Sequence, residues 1–241
     1  MTETFIALLA AHLIGDFPLQ PVALIRRKRN PLILAGHVLI MLALAILALG
    51  SAPPLLLTIL IATHLLMDAV KVWALPDRLW AFALDQLVHL GVIGLLALYW
   101  PGVVENGLWT RLPDAGYSLY IAALVMVSGA IVAIQIGAIV IRLSIGSMEA
   151  GPLDAGLPNG GFMIGCLERS LILLLVFMDQ TAGVGFLIAA KSILRFGDIQ
   201  KNERRVSEYI IIGTFMSFGW GLLAAAITRA AVEPWLRLGG L

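Results

Sequence analysis

The sequence predicts an all-α, polytopic membrane protein, a bundle of about eight transmembrane helices. The first four would enclose a centre of histidine and aspartate. Three observations carry this. Of 241 residues, 60% are hydrophobic and 13% charged, with a mean hydropathy of +0.96; a soluble domain is about half apolar and a quarter charged. Several apolar runs are long enough to cross a bilayer. All four histidines lie inside such runs between residues 12 and 89, and ionisable groups in a membrane span are costly enough to mark a functional site.

The first span is predicted over Glu3 to Gln20, with Pro18 near its end, followed by the basic loop Arg26-Arg-Lys-Arg29. The second covers Leu32 to Leu49 and stops at Ser51-Ala-Pro-Pro54, because two prolines break a helix. The third covers Leu55 to Trp73, and Leu75-Pro-Asp-Arg78 links it to a fourth over Leu79 to Trp100. Residues 1–100 thus form the predicted four-helix bundle. Residues 101–116, with Gly, Pro, Asn and Asp, read as the loop that separates it from a second helical half, 117–241, packed on the first within one membrane domain. That half contains spans over Tyr117 to Leu143, Gly161 to Phe177, a short one over Gly183 to Phe196, and a last one over Glu208 to Ala231. The sixth and seventh could form one broken hairpin.

A net charge of +1 gives no basis for nucleic-acid binding. The single Cys166 excludes an intrachain disulfide and a Cys-rich zinc site. The N-terminus lacks the basic region and cleavage site of a signal peptide and reads as a retained first span. Trp73, Trp80, Trp100 and Trp109 fall near predicted span ends, where an aromatic belt is expected. With the Arg26–Arg29 loop in the cytoplasm, eleven basic residues fall on the cytoplasmic side and three, Arg111, Arg229 and Arg237, on the other. Both termini are then non-cytoplasmic, and a bacterial inner membrane is the expected location.

Three of the histidines have an aspartate four positions away: His12 and Asp16, His64 and Asp68, Asp85 and His89. On a helix this spacing places imidazole and carboxylate on one face. His37 sits near the start of the second run. With a rise of ~1.5 Å per residue, the assigned orientation puts all seven groups in one layer, roughly 7–17 Å below the cytoplasmic boundary. An inward span with His-x3-Asp followed by an outward span with a histidine occurs twice, which suggests paired hairpins. A lone intramembrane histidine is explained by an interhelical hydrogen bond. His12, Asp16, His37, His64, Asp68, Asp85 and His89 in one layer form a donor set for a divalent zinc, manganese or iron ion, with Asp16, Asp68 or Asp85 available as general base. The same pairs could relay protons without a metal.

The second half adds Glu168 and Arg169 on one span and Lys191 and Arg195 on the next. They could pair to lock two helices, or form a pocket for an anionic group.

His12-Leu-Ile-Gly-Asp-Phe-Pro-Leu-Gln20, Thr63-His-Leu-Leu-Met-Asp68 and Asp85-Gln-Leu-Val-His89 resemble a bacterial multi-pass family, domain-of-unknown-function family 3307. Gly165-Cys-Leu-Glu-Arg169, the run from Gly185 to Phe196 and Glu208-Tyr-Ile-Ile-Ile-Gly-Thr214 resemble the segment that follows in longer members. The resemblance implies a membrane location and no established activity. A looser likeness, histidines on membrane helices, connects the chain to inner-membrane proteins of the YdjM type, predicted metal-dependent hydrolases. The leading expectation is therefore a metal-dependent hydrolase of a phosphorylated or lipid-linked substrate, with membrane lipid around it. A metal-ion or proton-coupled transporter and a non-catalytic membrane component with a polar or metal core are the alternatives. The outer halves of spans two to four are nearly pure Leu, Ile, Ala and Val, which favours a one-sided site over a through-pathway.

Overall fold

The computed structural model describes residues 1–25, 27–146, 159–201 and 204–240, and for residues 22, 194–201 and 204–207 the backbone alone. The chain is all-α, with no strand among the described residues. Its helices are α1 (Thr2–Asp16), the single-turn α2 (Val22–Ile25), α3 (Pro31–Leu49), α4 (Pro54–Ala74), α5 (Leu79–Tyr99), α6 (Asp114–Ile131), α7 (Gly137–Ile145), α8 (Gly160–Phe177), α9 (Thr181–Lys201) and α10 (Arg204–Leu238). Among the described residues, six helical stretches are long and apolar enough to cross a membrane: α3, α4, α5, Asp114–Ile145, α8 and Glu208–Leu238. The remaining two expected spans are shorter. α1 has 15 residues because Pro18 follows closely, and α9 has a short apolar stretch, Thr181–Ile193.

Local sequence sets the helix ends. Asn30 caps α3, its side chain accepting from the Leu32 amide at 2.9 Å, and Pro31 occupies the first helical position. Gly50, at φ 64°, ends the same helix in the left-handed conformation. Prolines 53 and 54 open α4.

The chain forms two compact units, residues 1–131 with 231–241, and residues 132–230. α6 groups with the N-terminal helices, so this division falls at Ile131, whereas the sequence reading places its boundary in the 101–116 loop.

In the first unit α1 is the inner helix, packed on α3, α5 and α6. Ala7, Leu8, Ala10 and Ala11 are almost fully buried, and small residues let neighbouring backbones approach closely. Its apolar core is built from Leu8, Leu49, Leu56, Leu60, Ile93, Leu96 and Ile121. The loop after α5 closes one end of this core. Thr4 Oγ1 donates to the Pro101 carbonyl at 2.8 Å, the Leu108 amide to the Gly50 carbonyl at 2.8 Å, and Trp109 Nε1 to the Leu47 carbonyl at 2.7 Å. Trp109, expected only as a belt residue, also stacks on Tyr120. The tail of α10 continues past Pro234 instead of ending near Ala231, with Val232 buried and Trp235 against the same core.

In the second unit a single π turn, residues 132–136, precedes α7. Ile172, Val176, Val184, Phe218 and Ala225 from α8, α9 and α10 form the core.

Candidate metal centre

All seven His and Asp side chains picked out by spacing meet in the first unit. α1 supplies His12 and Asp16, α3 His37, α4 His64 and Asp68, and α5 Asp85 and His89. Each is at most 8% exposed. α1, α4 and α5 each turn an imidazole and a carboxylate four residues apart inward together. The rings lie close to one another, with centroids 4.4 Å apart for His64 and His89, 4.8 Å for His12 and His89, and 5.4 Å for His37 and His64.

Four atoms on three helices converge tightly. His37 Nε2 lies 3.0 Å from Asp16 Oδ1, 3.2 Å from His64 Nε2 and 3.4 Å from Asp68 Oδ2. His64 Nε2 lies 3.5 Å from Asp16 Oδ1 and 3.6 Å from Asp68 Oδ2. A tetrahedral ion with bonds of about 2.0–2.1 Å holds its ligand atoms about 3.3 Å apart. Asp16 Oδ1, His37 Nε2 and His64 Nε2, 3.0–3.5 Å apart, match one face of such a shell, and Asp68 Oδ2, which accepts from Lys28, lies beside the two imidazoles.

Two further groups could hold an ion, each with one ligand atom per residue within 4.8 Å of the others: His12 with His64 and His89, and Asp68 with Asp85 and His89. Gln86 fixes part of the chemistry here. Its Nε2 donates to Asp85 Oδ2 at 2.9 Å, which leaves its Oε1 facing His12 Nε2 at 3.4 Å. His12 Nε2 must then carry the proton, and Nδ1 the lone pair. That Nδ1 has no hydrogen-bond partner and lies 3.8 Å from Asp16 Oδ2, so two acceptors face each other with no proton between them. Asp85 Oδ1 faces His89 Nε2 at 3.4 Å, a long contact that either a proton on that nitrogen or a shared ion would bridge. Unpartnered buried acceptors call for a cation or a water. An enclosed cavity of about 10 Å³ touches His12, His64, His89 and Thr63, enough for a single water or ion.

Two lysines that the sequence reading left in the cytoplasmic margin turn inward instead. Lys28 is only 5% exposed, and its Nζ donates to Asp68 Oδ2 at 2.8 Å. Lys71 pairs with Asp85 Oδ2 and lies over the Phe82 ring. Lys71 is visible in the sequence as the next polar residue after Asp68 on the same helix. Lys28 gives no such signal, because only the path of the loop brings it back to α4.

The second unit gathers the other charged residues. Lys191 Nζ donates to Glu168 Oε2 at 2.7 Å, tying α9 to α8. Arg169 points elsewhere. It is 2% exposed and donates to Ser217 Oγ at 2.9 Å and to the Ile134 carbonyl at 3.0 Å. The π turn frees that carbonyl and the Val132 carbonyl, which accepts from Trp220 Nε1 at 2.9 Å. Glycines make room for the arginine: a Cβ at Gly137, Gly165 or Gly221 would stand 3.0–3.3 Å from its side-chain atoms. The Arg195 side chain and Arg26 lie outside the described residues. Between α8 and α9, a hydrogen bond from Arg229 holds the Asp179 carboxyl below its usual range.

Residues 4–110 match the family model described as "Protein of unknown function (DUF3307)". The match spans less than half of the chain and likens this segment to that family. No curated protein and no solved structure matches the chain, and the looser likeness to the YdjM type gains no support. The matched segment contains the whole centre: the seven His and Asp residues, Gln86, Lys28 and Lys71. Glu168, Arg169 and Lys191 lie beyond it.

Proposed function

We propose that the matched segment holds a divalent metal ion, zinc by preference, in a membrane-embedded hydrolase centre that acts on phosphate-bearing substrates from the cytoplasmic side of a bacterial inner membrane. The carrying observation is the trio Asp16 Oδ1, His37 Nε2 and His64 Nε2, spaced like one face of a tetrahedral shell, with Asp68 Oδ2 beside the two imidazoles. Neutral imidazole and carboxylate suit zinc, manganese and iron. A bound ion would supply Lewis acidity and an acidified water. Asp85 suits the general base, since its Oδ1 is buried and free of hydrogen bonds while Lys71 and Gln86 hold Oδ2. The apolar core around Leu49, Leu56 and Leu96 supports a one-sided site over a transport path.

A metal-free polar core has one observation in its favour: Lys28 and Lys71 already neutralise two of the three carboxylates. Elemental analysis of the purified chain separates the two readings. Wild type should carry zinc, manganese or iron. His64→Ala should lose most of it, since His64 belongs to two of the three ligand groups. Asp85→Asn should keep metal but lose hydrolysis of a chromogenic phosphate monoester. Metal-free wild type after metal-replete purification would leave the polar core as the answer.

A further inference from the structure

We infer that Lys28 and Lys71 form an anion site at the mouth of this centre, specific for a phosphate group, and that phosphate and metal bind cooperatively. The inference rests on the metal-centre reading and adds the group that the metal would share.

Charge balance leads to it. The centre holds three carboxylates, Asp16, Asp68 and Asp85, and two ammonium groups, Lys28 and Lys71. With neutral imidazoles the sum is −3 + 2 = −1. One divalent ion changes it to +1, and a singly charged phosphate group beside the lysines would return it to zero.

Geometry names the groups left uncompensated. Lys28 Nζ sits on Asp68 Oδ2, the same oxygen that faces His37 Nε2 and His64 Nε2. An ion taking that oxygen competes directly with the lysine. Lys28 is too buried to return its ammonium to bulk water without moving its loop. Lys71 stays on Asp85 Oδ2, outside the proposed ligand set, and its side chain is 39% exposed. Lys28 released from Asp68, with the exposed Lys71 and a divalent ion nearby, makes a receptor for a compact phosphate group. Among the described residues of the second unit, Lys191 is committed to Glu168, and Arg169 to Ser217 and the Ile134 carbonyl. Lysines inside the matched segment therefore take the anion-binding role that the sequence reading gave to Arg169, Lys191 and Arg195.

The test is zinc affinity of the full-length protein, set by a competing chelator, with and without inorganic phosphate. A parallel arm uses nanodiscs of phosphatidylcholine with and without phosphatidic acid. Wild type should bind zinc about tenfold more tightly when the phosphate group is present. Coupling to inorganic phosphate points to a soluble substrate, and coupling to phosphatidic acid alone to a lipid headgroup; either supports the site. Lys28→Met should bind zinc more tightly without phosphate, because the competitor is gone, and its coupling should fall below about twofold. If Lys28→Met does not fold, Lys71→Met, on the more exposed lysine, must show the same loss. Zinc binding that ignores both phosphate forms would overturn the inference while leaving the metal centre standing. So would full coupling in the lysine variants. Wild type that binds no zinc would remove the metal centre itself.

Discussion

Three groups reach Asp68 Oδ2 within 3.6 Å: Lys28 Nζ, His37 Nε2 and His64 Nε2. A carboxylate oxygen has few lone-pair directions, so a lysine and a metal ion at this oxygen are alternatives more than companions. The Glu168–Lys191 pair is simpler, one cation on one carboxylate with both side chains largely buried. Breaking a buried pair on one side leaves a charge without compensation. Lys191→Met should therefore destabilise the protein by about 3 kcal/mol. Lys191→Met combined with Glu168→Gln should recover most of that. Thermal melting in detergent, with single and double variants side by side, checks it. A single variant as stable as wild type would show that the pair does not lock α8 to α9.

Among the elements, the π turn at residues 132–136 ties α8 and α10 to the stretch before α7 through two carbonyls, Ile134 to Arg169 and Val132 to Trp220. Gly137 follows the turn, where a Cβ would come within 2.5 Å of Trp220 Cδ1 and 2.7 Å of its Nε1. Trp220 cannot give way without losing its bond to Val132. Gly137→Ala should lower stability by about 1–3 kcal/mol through overpacking. Gly219→Ala is the control, since nothing lies within 4 Å of its Cβ position; helix propensity should make that change neutral or mildly favourable. Equal melting temperatures for the two variants would contradict the packing at the π turn.

For the whole molecule, topology is the property to test. The split of basic residues predicts a cytoplasmic Arg26–Arg29 loop and both termini on the other side. That orientation would put Lys28 and Lys71, the proposed anion site, at the cytoplasmic face. A C-terminal reporter active only in the cytoplasm should stay silent, and one active only outside should give full signal. A bright cytoplasmic reporter would reverse the face from which an anion enters, leaving the centre's internal geometry unchanged.

Composition and spacing by themselves determined the fold class and the seven His and Asp residues. Burying an ionisable group in an apolar run costs so much that each one is legible, and the i, i+4 rule fixes which residues share a face. Helix ends were legible where proline, glycine or asparagine sets the backbone, as at Asn30, Gly50 and Pro54. Tertiary structure alone decided which atoms meet. Lys28 reaches Asp68 across 40 positions of sequence, and Arg169 turns to Ser217 and a π-turn carbonyl while its neighbour Glu168 takes Lys191. No periodicity records such pairings, because they depend on where a loop returns and which helix lies alongside. A loop lysine and a core lysine look alike in a sequence, and only packing shows that Lys28 is buried.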